Sequence, residues 1–168
     1  MRGWRGVGLG LSVSGMRPLI DLAYRARRRL MALVGWRTSG VKVIAFDPGG
    51  DVLLVRHRYG RSDLWMLPGG GIARGELPTA AAARELREET GCRLGEVVAL
   101  GVFEARTEGR RDTVHLFSGR TSDRPQVDGV ELAEARFFPP ADLPDAASPA
   151  TRRRIAEWRG LRQPDGHW

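Results

Sequence analysis

The 168-residue chain reads as an α/β protein with helices layered on a mixed sheet. Three observations carry that reading. Residues 41–46 and 52–55 are short apolar runs of strand length, parted by Asp47-Pro48-Gly49-Gly50. One longer stretch, residues 79–90, has helical character and stops at Gly91. Strand-like runs then resume instead of a second helix. Strands before and after one central helix suggest α/β layering with a mixed sheet.

The elements follow in order. Residues 41–46 form a buried strand, and residues 52–55 return as the second half of a hairpin. Residues 57–63 are a polar loop. Residues 64–67 form a short strand that Pro68 stops. A glycine loop leads into the helix at 79–90, with Thr79 as N-cap and Gly91 as the left-handed stop. Thr79, Ala83, Leu86 and Thr90 lie opposite its acids and are expected to face the core. Residues 97–105 and 113–119 read as paired strands joined by a charged hairpin at 107–112. Residues 120–130 are a polar loop, residues 135–138 a last strand ended by Pro139-Pro140, and residues 151–158 a C-terminal helix. The expected organisation is residues 1–16 disordered, 17–37 a basic amphipathic helix, 38–160 the folded domain and 161–168 a tail.

Charge separates the appendage from the body. Residues 1–40 hold eight arginines and Asp21 as the only acid, 8 − 1 = +7, which is the net charge of the whole chain. The remainder is neutral, so the overall basicity says little about what the body binds. Lys42 is the only lysine among 27 basic residues, a bias read as genomic GC content. In residues 17–35, Leu19, Leu22, Ala23, Ala26, Leu30, Leu33 and Val34 recur at helical spacing, with Arg25, Arg28 and Arg29 on the other face. Such a helix suits packing on a domain or a second copy, and also peripheral contact with an anionic membrane or RNA. Cys92 is the sole cysteine, which excludes an intrachain disulfide and a cysteine-based zinc site. No run reaches the ~18 apolar residues of a membrane span. A cytoplasmic location is expected.

The chemistry concentrates between Gly69 and Cys92. With Glu85 at zero and about 100° per residue, Glu88 falls near 300° and Glu89 near 40°. Three carboxylates therefore crowd onto about 100° of helix surface, two of them near its C-terminus, where the macrodipole disfavours anions. Such a misfit calls for a compensating charge, and a divalent cation supplies one. Clustered carboxylates suit hard, oxygen-seeking Mg²⁺ or Mn²⁺. Glycines let the preceding loop bring its backbone close to metal or phosphate.

Gly70, five residues, Glu76, seven residues, then Arg84-Glu85-Leu86-Arg87-Glu88-Glu89-Thr90-Gly91-Cys92 resembles the Nudix box position by position. Cys92 stands where the family prefers an aliphatic residue, and a buried cysteine behaves as one. Trp65-Met66-Leu67-Pro68-Gly69-Gly70-Gly71 is similar to the family's approach to that box. The resemblance implies a Nudix-like α/β/α sandwich with a mixed curved sheet, here with the N-terminal amphipathic helix added. It implies Glu85, Glu88 and Glu89 as metal ligands with the Gly69 carbonyl, Arg84 as the residue orienting them, and Glu76 as a fixture of the loop. Glu85 is the first candidate for general base and Glu131 the second.

Other residues are open to two readings. Arg56 and Arg58 could hold phosphates or sit at a solvated strand end. Tyr59, Trp65 and Phe103 could stack a base, and Trp65 and Phe103 could instead belong to the core. Glu104 and Glu134 are either further candidates for the base or surface acids, the latter favoured, and His115 reads as a satisfied or surface strand histidine rather than a catalytic one. The resemblance implies a Mg²⁺- or Mn²⁺-dependent hydrolase of a nucleoside diphosphate linked to another moiety, with a nucleoside triphosphate or small derivative as default substrate. Alternatives are an RNA 5′-end pyrophosphohydrolase and a catalytically silent nucleotide-binding protein. Homodimerisation is left open.

Overall fold

Period-two alternation in the strands produces two cores, one on each face of the sheet. In the computed structural model, which describes residues 39–168 apart from Tyr59, 108–109 and 128–130, the strands are β1 (Ser39–Phe46), β2 (Val52–His57), β3 (Trp65–Met66), β4 (Gly95–Thr107), β5 (Arg110–Arg120) and β6 (Leu132–Phe138). The helices are α1 (Pro78–Thr90) and α2 (Pro149–Trp158). Val41, Val43 and Ala45 of β1, with Leu53 and Phe117, pack against Ala81, Ala82 and Leu86 of α1. Ile44, Val52, Leu54 and Leu116 point the other way, into a core with Trp65, Phe103 and Ile155 of α2. The result is the expected three-layer α/β/α arrangement. The expected helix at 17–37 and the segment 1–16 lie outside the described residues.

The sheet is mixed. β1 runs parallel to β5 from Ser39↔Thr113 to Phe46↔Arg120, and β4 pairs antiparallel with β5. β2 pairs antiparallel with β6 along its length. The β1–β2 hairpin meets only at Phe46↔Val52. Beyond that the strands part, and the chain from Trp65 to Gly71 fills the gap. Trp65 and Met66 pair with β2, while Gly71 bridges to Gly40 of β1. This parting brings the glycine loop to the middle of the sheet.

Several boundaries differ from expectation. Thr79 is not the N-cap: α1 starts one residue earlier, with Pro78 in its first turn and Leu77 as a cap that makes no side-chain hydrogen bond. Proline's fixed φ suits that first turn and displaces the start. Thr79 is then exposed and Ala83 half-buried, while Ala81, Ala82, Leu86 and Thr90 face the core. Gly91 ends α1 as expected, with φ 72° and its N–H donating to the Arg87 carbonyl at 2.9 Å. β4 and β5 run into the charged stretch 107–112 expected to be a hairpin loop, pairing Ala105↔Asp112 and Thr107↔Arg110. Ladder bonds use backbone groups, so charged side chains alone do not end a ribbon. β6 begins at Leu132 rather than at 135.

The last residues close on β4. Glu104 N–H donates to the Gly166 carbonyl at 3.0 Å, and Trp168 N–H returns a bond to the Glu104 carbonyl at 2.9 Å. Arg154 of α2 is wholly buried beneath this contact. Its guanidinium lies 4.0 Å from the Phe103 ring centroid and 5.7 Å from that of Trp168. Among the described residues no helix is long and apolar enough to cross a membrane.

Candidate active site

The glycine loop lies against β1 through backbone pairing. Val41 and Val43 donate N–H bonds to the Gly70 and Pro68 carbonyls at 2.9 and 3.0 Å. The intervening carbonyls of Leu67 and Gly69 accept instead from Lys42 Nζ, at 2.9 and 2.7 Å. Gly69 N–H donates to Glu89 Oε2 at 2.8 Å, which ties the loop to α1. The close approach demands glycine. A Cβ on Gly69, whose φ is +130°, would stand 2.3 Å from the Val41 carbonyl oxygen. A Cβ on Gly70 would stand 2.5 Å from Glu85 Oε2.

Arg84 is the hub. Its Nε and Nη2 grip the two Glu76 oxygens at 2.7 and 2.9 Å, a bidentate pair. Nη1 reaches Glu85 Oε1 at 2.8 Å and Glu88 Oε2 at 3.0 Å, and Nη2 also holds the Gly71 carbonyl at 3.0 Å. Glu76 further accepts the Ala73 N–H at 2.8 Å. One guanidinium thus fixes the loop and two helix carboxylates together. These hydrogen bonds from Arg84 and Ala73 hold the Glu76 carboxyl down to about 2.

Glu89 has the opposite electrostatics. Burial pushes its pKa up to about 7; Lys42 and the Gly69 N–H work against that shift, and the charges of Glu85 and Glu131 add to it. A buried carboxylate kept partly protonated is a group that a cation would relieve. Burial also lowers the pKa of Lys42, against the attraction of Glu89 and Glu85. His57, at the end of β2, is lowered by burial and then by Lys42.

The donors suit a divalent ion. Glu85, Glu88, Glu89 and the Gly69 carbonyl offer only oxygen, the donor that a hard dication prefers. Among the described residues no three acidic, histidine or cysteine side chains already stand as a ready-made metal cluster. Mg²⁺ does not need one, because it keeps several waters and binds through one or two carboxylates.

The structure gathers Gly69, Gly70, Glu76, Arg84, Glu85, Glu88 and Glu89 as the sequence implied. Glu131 stands just beyond β2, where its carbonyl accepts the Arg58 N–H at 2.9 Å, and its charge adds to the raised pKa of Glu89. Arg56 is otherwise engaged, donating through Nη2 to Glu134 and lying 5.8 Å over the Trp65 ring. Arg58 is exposed and Tyr59 lies outside the described residues. Trp65 does not offer a face to a base: it is 9% exposed and packs edge-on against Phe138 at 4.9 Å. Phe103 is core as well. Glu134 also pairs with Arg136, Glu104 holds the C-terminal contact, and His115 sits within β5 opposite Val41 and Val102. Lys42 was missed. Its signal was its rarity, one lysine beside 26 arginines, placed on the strand nearest the loop.

A strand, a glycine loop and an acidic helix locked by one arginine define a Nudix-type hydrolase site. Residues 36–158 match the model of the NUDIX domain, and the chain belongs to the Nudix family. It is similar to a Bacillus subtilis (strain 168) protein named "Putative 8-oxo-dGTP diphosphatase", with 33% identity over 123 residues, 73% of this chain and 80% of the relative. An RNA pyrophosphohydrolase of Roseobacter denitrificans is 32% identical over 132 residues, covering 67% of this chain and 82% of that protein. The crystal structure of a MutT NUDIX hydrolase from Burkholderia pseudomallei superposes with TM-score 0.64 and 25% identity, over 71% of this chain and 96% of that one. The protein is a hydrolase acting on pyrophosphate bonds of nucleotide compounds.

Proposed function

We propose that this protein uses Mg²⁺ or Mn²⁺, held by Glu85, Glu88, Glu89 and the Gly69 carbonyl, to hydrolyse a nucleoside triphosphate or a similarly small nucleoside diphosphate derivative. The observation that carries this reading is the Arg84 hub, which brings the loop and two helix carboxylates into one rigid unit beside buried Glu89. A divalent ion there would neutralise phosphate oxygens and acidify the attacking water. The chain's own residues supply the rest. Arg84 and Glu76 hold the carboxylates in place, and the rigid glycine loop keeps its backbone close to the phosphates. Glu85 accepts the proton of the attacking water. Glu131 is the alternative base, and its charge adds to the raised pKa of the Glu89 carboxyl. Cleavage releases two phosphate-bearing products.

A panel of nucleoside triphosphates, dinucleoside polyphosphates and nucleoside diphosphate sugars, incubated with Mg²⁺ and resolved by chromatography, tests this. Turnover of triphosphates to monophosphate and pyrophosphate is expected. Turnover confined to diphosphate sugars would overturn the substrate assignment. The similarity to an RNA pyrophosphohydrolase motivates a second reading, action on RNA 5′ ends. Turnover of a 5′-triphosphorylated oligonucleotide faster than of GTP at equal concentration would favour it.

A further inference from the structure

Backbone accounting around the glycine loop points to a role for Lys42. The carbonyls of residues 68 and 70 are satisfied by β1, whereas those of Leu67 and Gly69 both rely on the Lys42 ammonium. A buried carbonyl without a partner is costly, so this lysine holds the loop. It also places a positive charge where Glu89 and Glu85 attract it. One of its two acceptors, the Gly69 oxygen, is a proposed metal ligand.

The chain's composition is an independent pointer. Basic residues here are arginine in 26 cases and lysine once, and the exception stands at this position. A guanidinium is a wide planar fork, while an ammonium is a compact point charge with three rotatable donors. Two carbonyls of one tight loop with carboxylates alongside match the ammonium.

We propose that the Lys42 ammonium is a resident cation of the metal loop. It holds the Leu67 and Gly69 carbonyls and balances Glu89 when no divalent ion is bound, and it competes with that ion for the Gly69 carbonyl. This rests on the metal reading above. Its consequence is a pair of opposite signs. Lys42 stabilises the metal-free protein and weakens metal binding. A residue that merely props the loop would favour both.

The test uses the full chain with Lys42→Met and Lys42→Gln, the second keeping a donor without the charge. Mn²⁺ binding is followed at pH 8 by the electron paramagnetic resonance of free Mn²⁺, and melting is measured in EDTA and in saturating Mn²⁺. Both variants are expected to melt below wild type in EDTA. Removing the unit charge that holds a carbonyl shared with the proposed ion is expected to tighten Mn²⁺ binding on the order of tenfold. The melting gap should narrow in Mn²⁺. Unchanged or weaker Mn²⁺ binding in a folded variant would overturn the proposal. Glu89→Gln serves as the control. If wild type and Glu89→Gln bind Mn²⁺ equally, the metal reading itself fails, and this inference with it.

Discussion

Three consecutive glycines offer a sharp test of the loop, because the structure asks different things of each. Gly69 has φ +130°, and a methyl group there would meet the Val41 carbonyl oxygen at 2.3 Å and the Lys42 Cα at 3.0 Å. Both obstacles are backbone of the central strand, so neither can turn away. A sparsely populated backbone conformation costs about 1–3 kcal/mol and overpacking a further ~1–3 kcal/mol. Gly69→Ala should therefore lose roughly 2–6 kcal/mol, a large part of the ~5–15 kcal/mol that holds a domain together. The melting temperature should fall by on the order of 10 °C or more. Gly70→Ala meets only the end of the Glu85 side chain, at 2.5 Å. A carboxylate can swing aside, so stability should change by less than about 1 kcal/mol. Activity should nevertheless fall steeply, because the displaced group is a proposed metal ligand and base. Gly71 is exposed with nothing within 4 Å of its would-be Cβ, and Gly71→Ala should stay within about 0.5 kcal/mol of wild type. Thermal melts and turnover of the three variants give the answer. Equal melting temperatures for Gly69→Ala and Gly71→Ala would refute the packing argument. Full activity in Gly70→Ala would refute the placement of Glu85.

Three further outcomes follow from the geometry. The Glu89 carboxyl titrates near 7 in the folded protein against 4.5 ordinarily, so the folded state binds the extra proton. Its contribution to metal-free stability is full below about 4.5 and lost as pH rises through about 7; melts in EDTA should show that decline in wild type and a flatter profile in Glu89→Gln. Glu76 behaves oppositely, with its carboxyl held down to about 2, so its contribution is present above about 4.5 and lost as pH falls toward 2. Glu76→Gln should lose that acid-range dependence and lower turnover while circular dichroism stays native; unchanged turnover would dismiss Glu76 as a support of the Arg84 hub. Trp168→Ala removes one wall of the Arg154 stack and should cost about 1–3 kcal/mol in urea melts, with turnover per folded molecule retained. A change below about 0.3 kcal/mol would show that the C-terminal contact adds nothing to the fold.

The parts of the site that the sequence made legible are those within one local unit. Glu85, Glu88 and Glu89 share a helix face by spacing alone, and Glu76 and Gly70 stand at fixed offsets from them. The first two strands were equally readable, as apolar runs parted by a proline-glycine turn. What escaped depends on distant contacts. Lys42 meets Gly69 across 27 residues, and Arg56 is claimed by Glu134 across 78. No local pattern carries such pairings, so Arg56 looked available for phosphate and Lys42 looked like a compositional accident. The start of α1 was misplaced for a local reason: a good capping residue, Thr79, lies just after a proline that fits the first turn better. The C-terminal residues read as a tail because Gly166 and Trp168 hold β4 mainly through backbone bonds and one ring contact.

The central claim is that Glu89 and its neighbours form a divalent metal site that drives pyrophosphate hydrolysis. Turnover of a nucleoside triphosphate by Glu89→Gln, measured across a Mg²⁺ titration on protein shown folded by its melting transition, tests it most directly. Activity is expected to fall by at least about a hundredfold, and no Mg²⁺ concentration should restore it. Near-wild-type turnover at saturating Mg²⁺ would contradict the site.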